Sequence, residues 1–145
     1  MSLNVHRFAA IRGKQSGDDY FTVVCEMALI PKLFLFNEST IPTELRAQRH
    51  INKGRIPEMA RYIVDNPKNY IFSALTASID GDIKFKPLKI DNKESEVGEL
   101  EIAGDAKLMI NDGQHRRAAI EKALTENPDL RKDSVAVVFL SLIHI

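Results

Sequence analysis

Apolar and polar stretches succeed one another along the chain in runs that predict its elements. Phe8 to Arg12 and Tyr20 to Met27 are β-rich runs, and the polar stretch Gly13-Lys14-Gln15-Ser16-Gly17-Asp18 between them predicts a β-hairpin. Pro31 then precedes Leu33-Phe34-Leu35-Phe36, an apolar run that fits either a buried strand or the end of a helix. Thr40 to Arg49 reads as a short helix entered through Pro42. The clearest helix begins at Arg55, with Pro57 early in it and Ile56, Met59, Ala60, Ile63 and Val64 forming one apolar stripe at helical spacing. Asn66-Pro67 ends it, because the residue before a proline is pushed out of the α region.

Tyr70 to Ile79 predicts a strand, Asp80-Gly81 a two-residue hairpin turn and Ile83 to Leu88 its partner. The acidic stretch Asp91 to Glu96 is the best candidate for a mobile loop, and Leu100-Glu101-Ile102 and Lys107 to Ile110 follow as strands. A second helix covers His115 to Thr125, with Ala118, Ala119, Ala123 and Leu124 facing inward. Asn127-Pro128 stops it, and Val135 to Phe139 forms a last apolar strand. With no internal repeat, the pattern predicts a mixed α+β domain.

Composition narrows the class. The 145 residues suit one domain, long enough to bury roughly 70% of the surface of the unfolded chain. A single cysteine, Cys25, excludes an internal disulfide framework, and no Cys/His cluster has zinc-site spacing, so the expectation is a cytoplasmic protein with no metal. No apolar run approaches the roughly 20 residues that span a bilayer, and no signal peptide is evident. No membrane association is expected.

Lys+Arg 20 against Asp+Glu 20 gives a formal net charge of zero, which argues against coating nucleic acid over the whole surface. The charges are nonetheless segregated. Glu44 to Arg61 carries Arg46, Arg49, Lys53, Arg55 and Arg61 against two acids, a local +3, and Asp91 to Asp105 carries a local −5. His115-Arg116-Arg117 is a third, compact basic patch.

That third patch belongs to the most informative segment, Asn111-Asp112-Gly113-Gln114-His115-Arg116-Arg117, between an apolar strand and an alanine-rich helix. A strand, a glycine turn and a helix N-terminus make an anion site, since backbone N–H groups point outward and the helix dipole adds positive charge. Gly113 permits φ > 0 and close approach, and Arg116 or Arg117 is suited to clamp phosphate oxygens. Asp112 is suited to capping, to a ribose hydroxyl or to a metal ion, and His115 to a phosphate or a backbone carbonyl; the pattern does not choose. Tyr20, Tyr62 and Tyr70 read as core and rim packing rather than as base-stacking platforms, and Cys25, beside Val23 and Val24, as a small buried hydrophobe.

Asp112-Gly113-Gln114-His115-Arg116 with Arg117-Ala118-Ala119 resembles the signature of the DGQHR domain family. More distantly it is similar to the Gly-x-x-Arg-x-x-Ala box of ParB-type nucleotide-binding domains and to the Gly-Cys-His-Arg loop of sulfiredoxins. Phe8 to Gly13, Leu29-Ile30-Pro31-Lys32, Arg46-Ala47-Gln48-Arg49, Asn52 to Glu58 and Phe72 to Gly81 resemble the DndB family of DNA sulfur modification-associated proteins.

The resemblance implies a ParB/sulfiredoxin-like mixed sheet with a strand–Gly turn–helix phosphate-binding element. It further implies a DNA-binding regulator of a DNA phosphorothioation operon, with DNA, a nucleotide and other DNA sulfur modification proteins as partners. On this transfer Asp112, Gly113, Gln114, His115, Arg116 and Arg117 are the nucleotide or phosphate contacts. Arg46, Arg49, His50, Asn52, Lys53 and Arg55 are looser candidates for DNA or pocket contacts. The implied ligand is a nucleoside triphosphate with Mg²⁺. Sulfiredoxin chemistry is not expected, because the nucleophilic cysteine position is held by Gln114, and no catalytic residue is assigned.

Two other readings remain at this stage: an NTPase or nuclease with Asp112 holding Mg²⁺, and a protein-interaction module whose basic turn is a helix start. The last residues, Leu140-Ser141-Leu142-Ile143-His144-Ile145, match the translation of a transposon mosaic-end sequencing adapter. Residues 1–139 are therefore expected to be the N-terminal part of a longer protein, and 140–145 adapter read-through.

Overall fold

A computed structural model describes residues 4–34 and 55–141, which divide into two compact units. Residues up to 24, 76–111 and from 136 form the first; residues 25–75 and 112–135 form the second.

Strands β1 (Val5–Gln15) and β2 (Asp18–Glu26) pair antiparallel, with Gln15 opposite Asp18. The turn is only Ser16-Gly17, at φ 52° and 84°, the left-handed pair that matches strand twist. Gly13, expected in the turn, lies within β1 opposite Tyr20, whose ring occupies the space a Cβ would need.

The remaining strands are β3 (Leu75–Asp80), β4 (Ile83–Ile90), β5 (Lys93–Ala103), β6 (Lys107–Asp112) and β7 (Ser134–Ser141). They complete a seven-stranded sheet in the order β4-β5-β1-β2-β7-β3-β6. The α+β class is therefore observed.

The acidic stretch expected to be a mobile loop is a β-hairpin instead. Asp91 and Asn92 make a two-residue turn at φ 53° and 63°, conformations that these short polar side chains tolerate, with Ile90 paired to Lys93. The acids then face cations across the strands. Arg12 Nε lies 2.9 Å from Glu96 Oε2, and Arg7 Nε and Lys86 Nζ lie 3.2 and 3.0 Å from Glu101 Oε1. Hydrogen bonds from Lys86 and then Arg7 hold the Glu101 carboxyl below the usual range. Arg12 also lies over the Phe85 ring, 4.9 Å from its centroid.

Asp80-Gly81 does not close a hairpin either. The neighbours of β3 are β7 and β6, and β4 stands at the opposite edge of the sheet. A flat sheet would separate strands five places apart by about 24 Å, whereas the backbone from Asp80 to Ile83 reaches at most about 11 Å. Gly104-Asp105-Ala106 makes the same passage from β5 to β6. The sheet must therefore curl until its two ends approach, and the two linkers meet there, with the Ala106 side chain standing where a Cβ on Gly81 would lie.

The second unit contains α1 (Ile30–Leu33), α2 (Arg55–Asp65), α3 (Gln114–Glu126) and the 3-10 turns Met27–Leu29 and Pro128–Lys132. Ala60 and Ile63 of α2 pack on Ala119 and Ala123 of α3 and on Leu130, all buried. Each fully buried Ile or Leu here contributes about 1.5–3 kcal/mol. The strand expected from Tyr70 begins only at Leu75. Side chains hold this segment instead of a ladder: Tyr70 Oη donates to Asp133 Oδ2 at 2.5 Å, and Ile71 N–H donates to Tyr62 Oη at 2.9 Å. Burial first, and the Asp133 carboxylate second, raise the Tyr70 pKa.

Arg117 is the buried charge of this unit, 7% exposed. Its Nε donates to Phe34 O at 2.6 Å and its Nη2 to Pro31 O at 3.3 Å, so it caps carbonyls at the C-terminal end of α1, where a cation is favoured. Glu121 pairs with it at 3.2 Å. Arg117→Ala is expected to cost about 3 kcal/mol, read as a lowered urea midpoint; an unchanged midpoint would contradict this role. Cys25 is 1% exposed and its thiol is pushed up to about 12 by burial. A thiol reagent at about pH 8 is expected to leave it unlabelled in the native chain and to label it on denaturation, because the thiolate is the reactive form; rapid native labelling would refute its burial.

Candidate functional site

The geometry converges on the turn from β6 into α3. Gly113 is the N-cap, at φ 111°, and its carbonyl accepts the first helical hydrogen bond from Arg117 N–H at 2.8 Å. A Cβ here would stand 2.5 Å from Leu75 Cδ2 and 3.1 Å from Arg116 Nη2, so both conformation and space demand glycine. Having no side chain, Gly113 leaves the first turn of α3 without a side-chain cap at this position.

Arg116 lies along the turn. Its Nη2 donates to Ala74 O at 2.9 Å and approaches Asp112 Oδ2 at 3.4 Å. Its Nε is buried with no hydrogen-bond partner among the described residues. The Asp112 side chain is 79% exposed. Gln114 and His115 occupy the first turn, both half-buried.

Of the six residues expected to contact phosphate, Asp112, Gly113, Gln114, His115 and Arg116 gather at the turn, and the Arg117 side chain leaves it for the interior. Successive residues of a helix point about 100° apart; Arg117 accordingly turns inward onto the Pro31 and Phe34 carbonyls. Arg46, Arg49, His50, Asn52 and Lys53 lie outside the described residues. Arg55 opens α2. Among the described residues, no three His, Cys, Asp or Glu side chains form a group able to hold a metal ion.

Arg116 also lines an open cleft of about 360 Å³, with Glu58, Met59 and Tyr62 of α2 and the segment Ile71-Phe72-Ser73. Sequence reading did not find this cleft, since its walls are distant in the chain. One signal was available: Tyr62 lies off the apolar stripe of α2, and it is 43% exposed.

No helix among the described residues is long and apolar enough to cross a membrane. No curated protein and no solved structure matches the chain. A family model described as DndB, DNA-sulfur modification-associated, matches residues 8–143, which take in both the β1–β2 hairpin and the Gly113 turn. The chain belongs to the DndB family.

Proposed function

We propose that the chain is a DNA-associated regulatory protein of the DNA phosphorothioation system, and that the β6–Gly113–α3 turn holds phosphate oxygens of a nucleotide or of DNA. The observation that carries this reading is the turn in a DndB-family chain: a glycine-only N-cap beside an arginine held at the mouth of the helix. Helix N-termini bind anions through outward N–H groups and the helix dipole. Gly113, Arg116 and Ala119 also keep the spacing of the ParB-type box, which supports a ParB/sulfiredoxin-like relationship within the same proposal.

In this reading Arg46, Arg49, His50, Asn52, Lys53 and Arg55 supply further DNA contacts, and other DNA sulfur modification proteins are the protein partners. A nucleoside triphosphate with Mg²⁺ is the free ligand of this chemistry. One exposed carboxylate, Asp112, suits an ion held mainly by phosphates, as Mg²⁺ is.

Anisotropy with a labelled duplex between about 50 and 200 mM salt tests the reading. Affinity is expected to fall steeply with salt. Arg116→Ala is expected to weaken binding about tenfold and to lower the salt slope by about one, without loss of helix content. Arg116→Gln keeps a donor for Ala74 O and is expected to show the same loss. Binding that ignores salt, or variants with the parent slope, would contradict a phosphate contact at Arg116.

A further inference from the structure

The cleft beside Arg116 has features that anion binding at the turn does not use. Ile71 is 85% exposed and Tyr62 43% exposed, two large apolar groups in one opening with Phe72 and Met59. The Tyr62 ring is fixed, because its hydroxyl accepts a hydrogen bond from Ile71 N–H at 2.9 Å. Glu58 and Ser73 are the other polar side chains of the lining besides Arg116. A volume of about 360 Å³ lies within the range of small-ligand pockets.

One end of the cleft is thus cationic and joined to the Gly113 turn, and the rest is aromatic and aliphatic with an acceptor at its edge. We propose that this cleft takes the nucleoside part of a nucleoside phosphate: the base against Tyr62 and Ile71, sugar or amino donors on Glu58 and Ser73, and the phosphate toward Arg116. The inference rests on the phosphate reading of the turn. Base–aromatic stacking is worth about 1–3 kcal/mol, a gain of about 5- to 150-fold over phosphate alone. The same groups occur on a free nucleotide and on an unpaired nucleotide of a DNA strand.

Calorimetric titration of the whole chain with tripolyphosphate, and with ATP, GTP, CTP and UTP, tests it. At least one nucleotide is expected to bind tenfold or more tightly than tripolyphosphate. Ile71→Ser, at an exposed position, and Tyr62→Leu are each expected to erase that gain while leaving tripolyphosphate affinity unchanged. Nucleotides that bind no tighter than tripolyphosphate, or a gain that survives both substitutions, would overturn the nucleoside cleft while the phosphate turn stands. No binding of tripolyphosphate or of any nucleotide would overturn both. Displacement of the bound nucleotide by a short single-stranded oligonucleotide would assign the cleft to DNA, and its failure to displace would assign it to free nucleotide; each accords with the proposal.

Discussion

Everything at the candidate site depends on the close packing of Gly113 against Leu75. With φ at 111° and Leu75 Cδ2 2.5 Å from where a Cβ would stand, only glycine can join β6 to α3 in this way. That junction sets the rotation of α3, and the rotation separates two neighbouring arginines. Arg116 runs along the turn to Ala74 O, whereas Arg117 points inward to the carbonyls at the end of α1. A compact basic patch in the sequence thus becomes one cation at the surface of a cleft and one that holds the unit together.

The buried arginine explains why the two roles do not exchange. A guanidinium with two backbone acceptors and the Glu121 carboxylate is well bonded, and withdrawing it would remove a donor from each of those carbonyls. Arg116 differs: its Nε has no partner among the described residues, and its one firm bond is to a single backbone oxygen. Among the described residues, the cation at the glycine turn is the less fully bonded of the two.

Elements that depend on local pattern were legible in the sequence. Helices α2 and α3 follow from their apolar stripes and Asn-Pro stops, and the β1–β2 hairpin from two β-rich runs on either side of a polar stretch with two glycines. What was not legible depends on partners distant in the chain. The stretch Asp91 to Glu96 read as a mobile loop because Arg12, which pairs with Glu96, lies on another strand. Asp80-Gly81 has hairpin composition, but β3 pairs with β7 and β6, so the turn serves a crossover. The late start of β3 reflects two tyrosines: the Tyr62 hydroxyl accepts from Ile71 N–H, and Tyr70, within the segment before β3, donates to Asp133 Oδ2. At the candidate site the turn was legible, being contiguous; the cleft was not, because it joins Tyr62, Ile71 and Arg116.

The central claim is that the Gly113 turn is where phosphate is held. It is tested most directly by following backbone amide and arginine Nε–H resonances by NMR during titration with tripolyphosphate. The account predicts that Gly113, Gln114, His115 and Arg116 amides and the Arg116 Nε–H shift together and saturate, while the Arg117 Nε–H, bonded to Phe34 O, stays in place. Saturable shifts that leave Gly113 to Arg116 unmoved, or no saturable shifts anywhere, would contradict it.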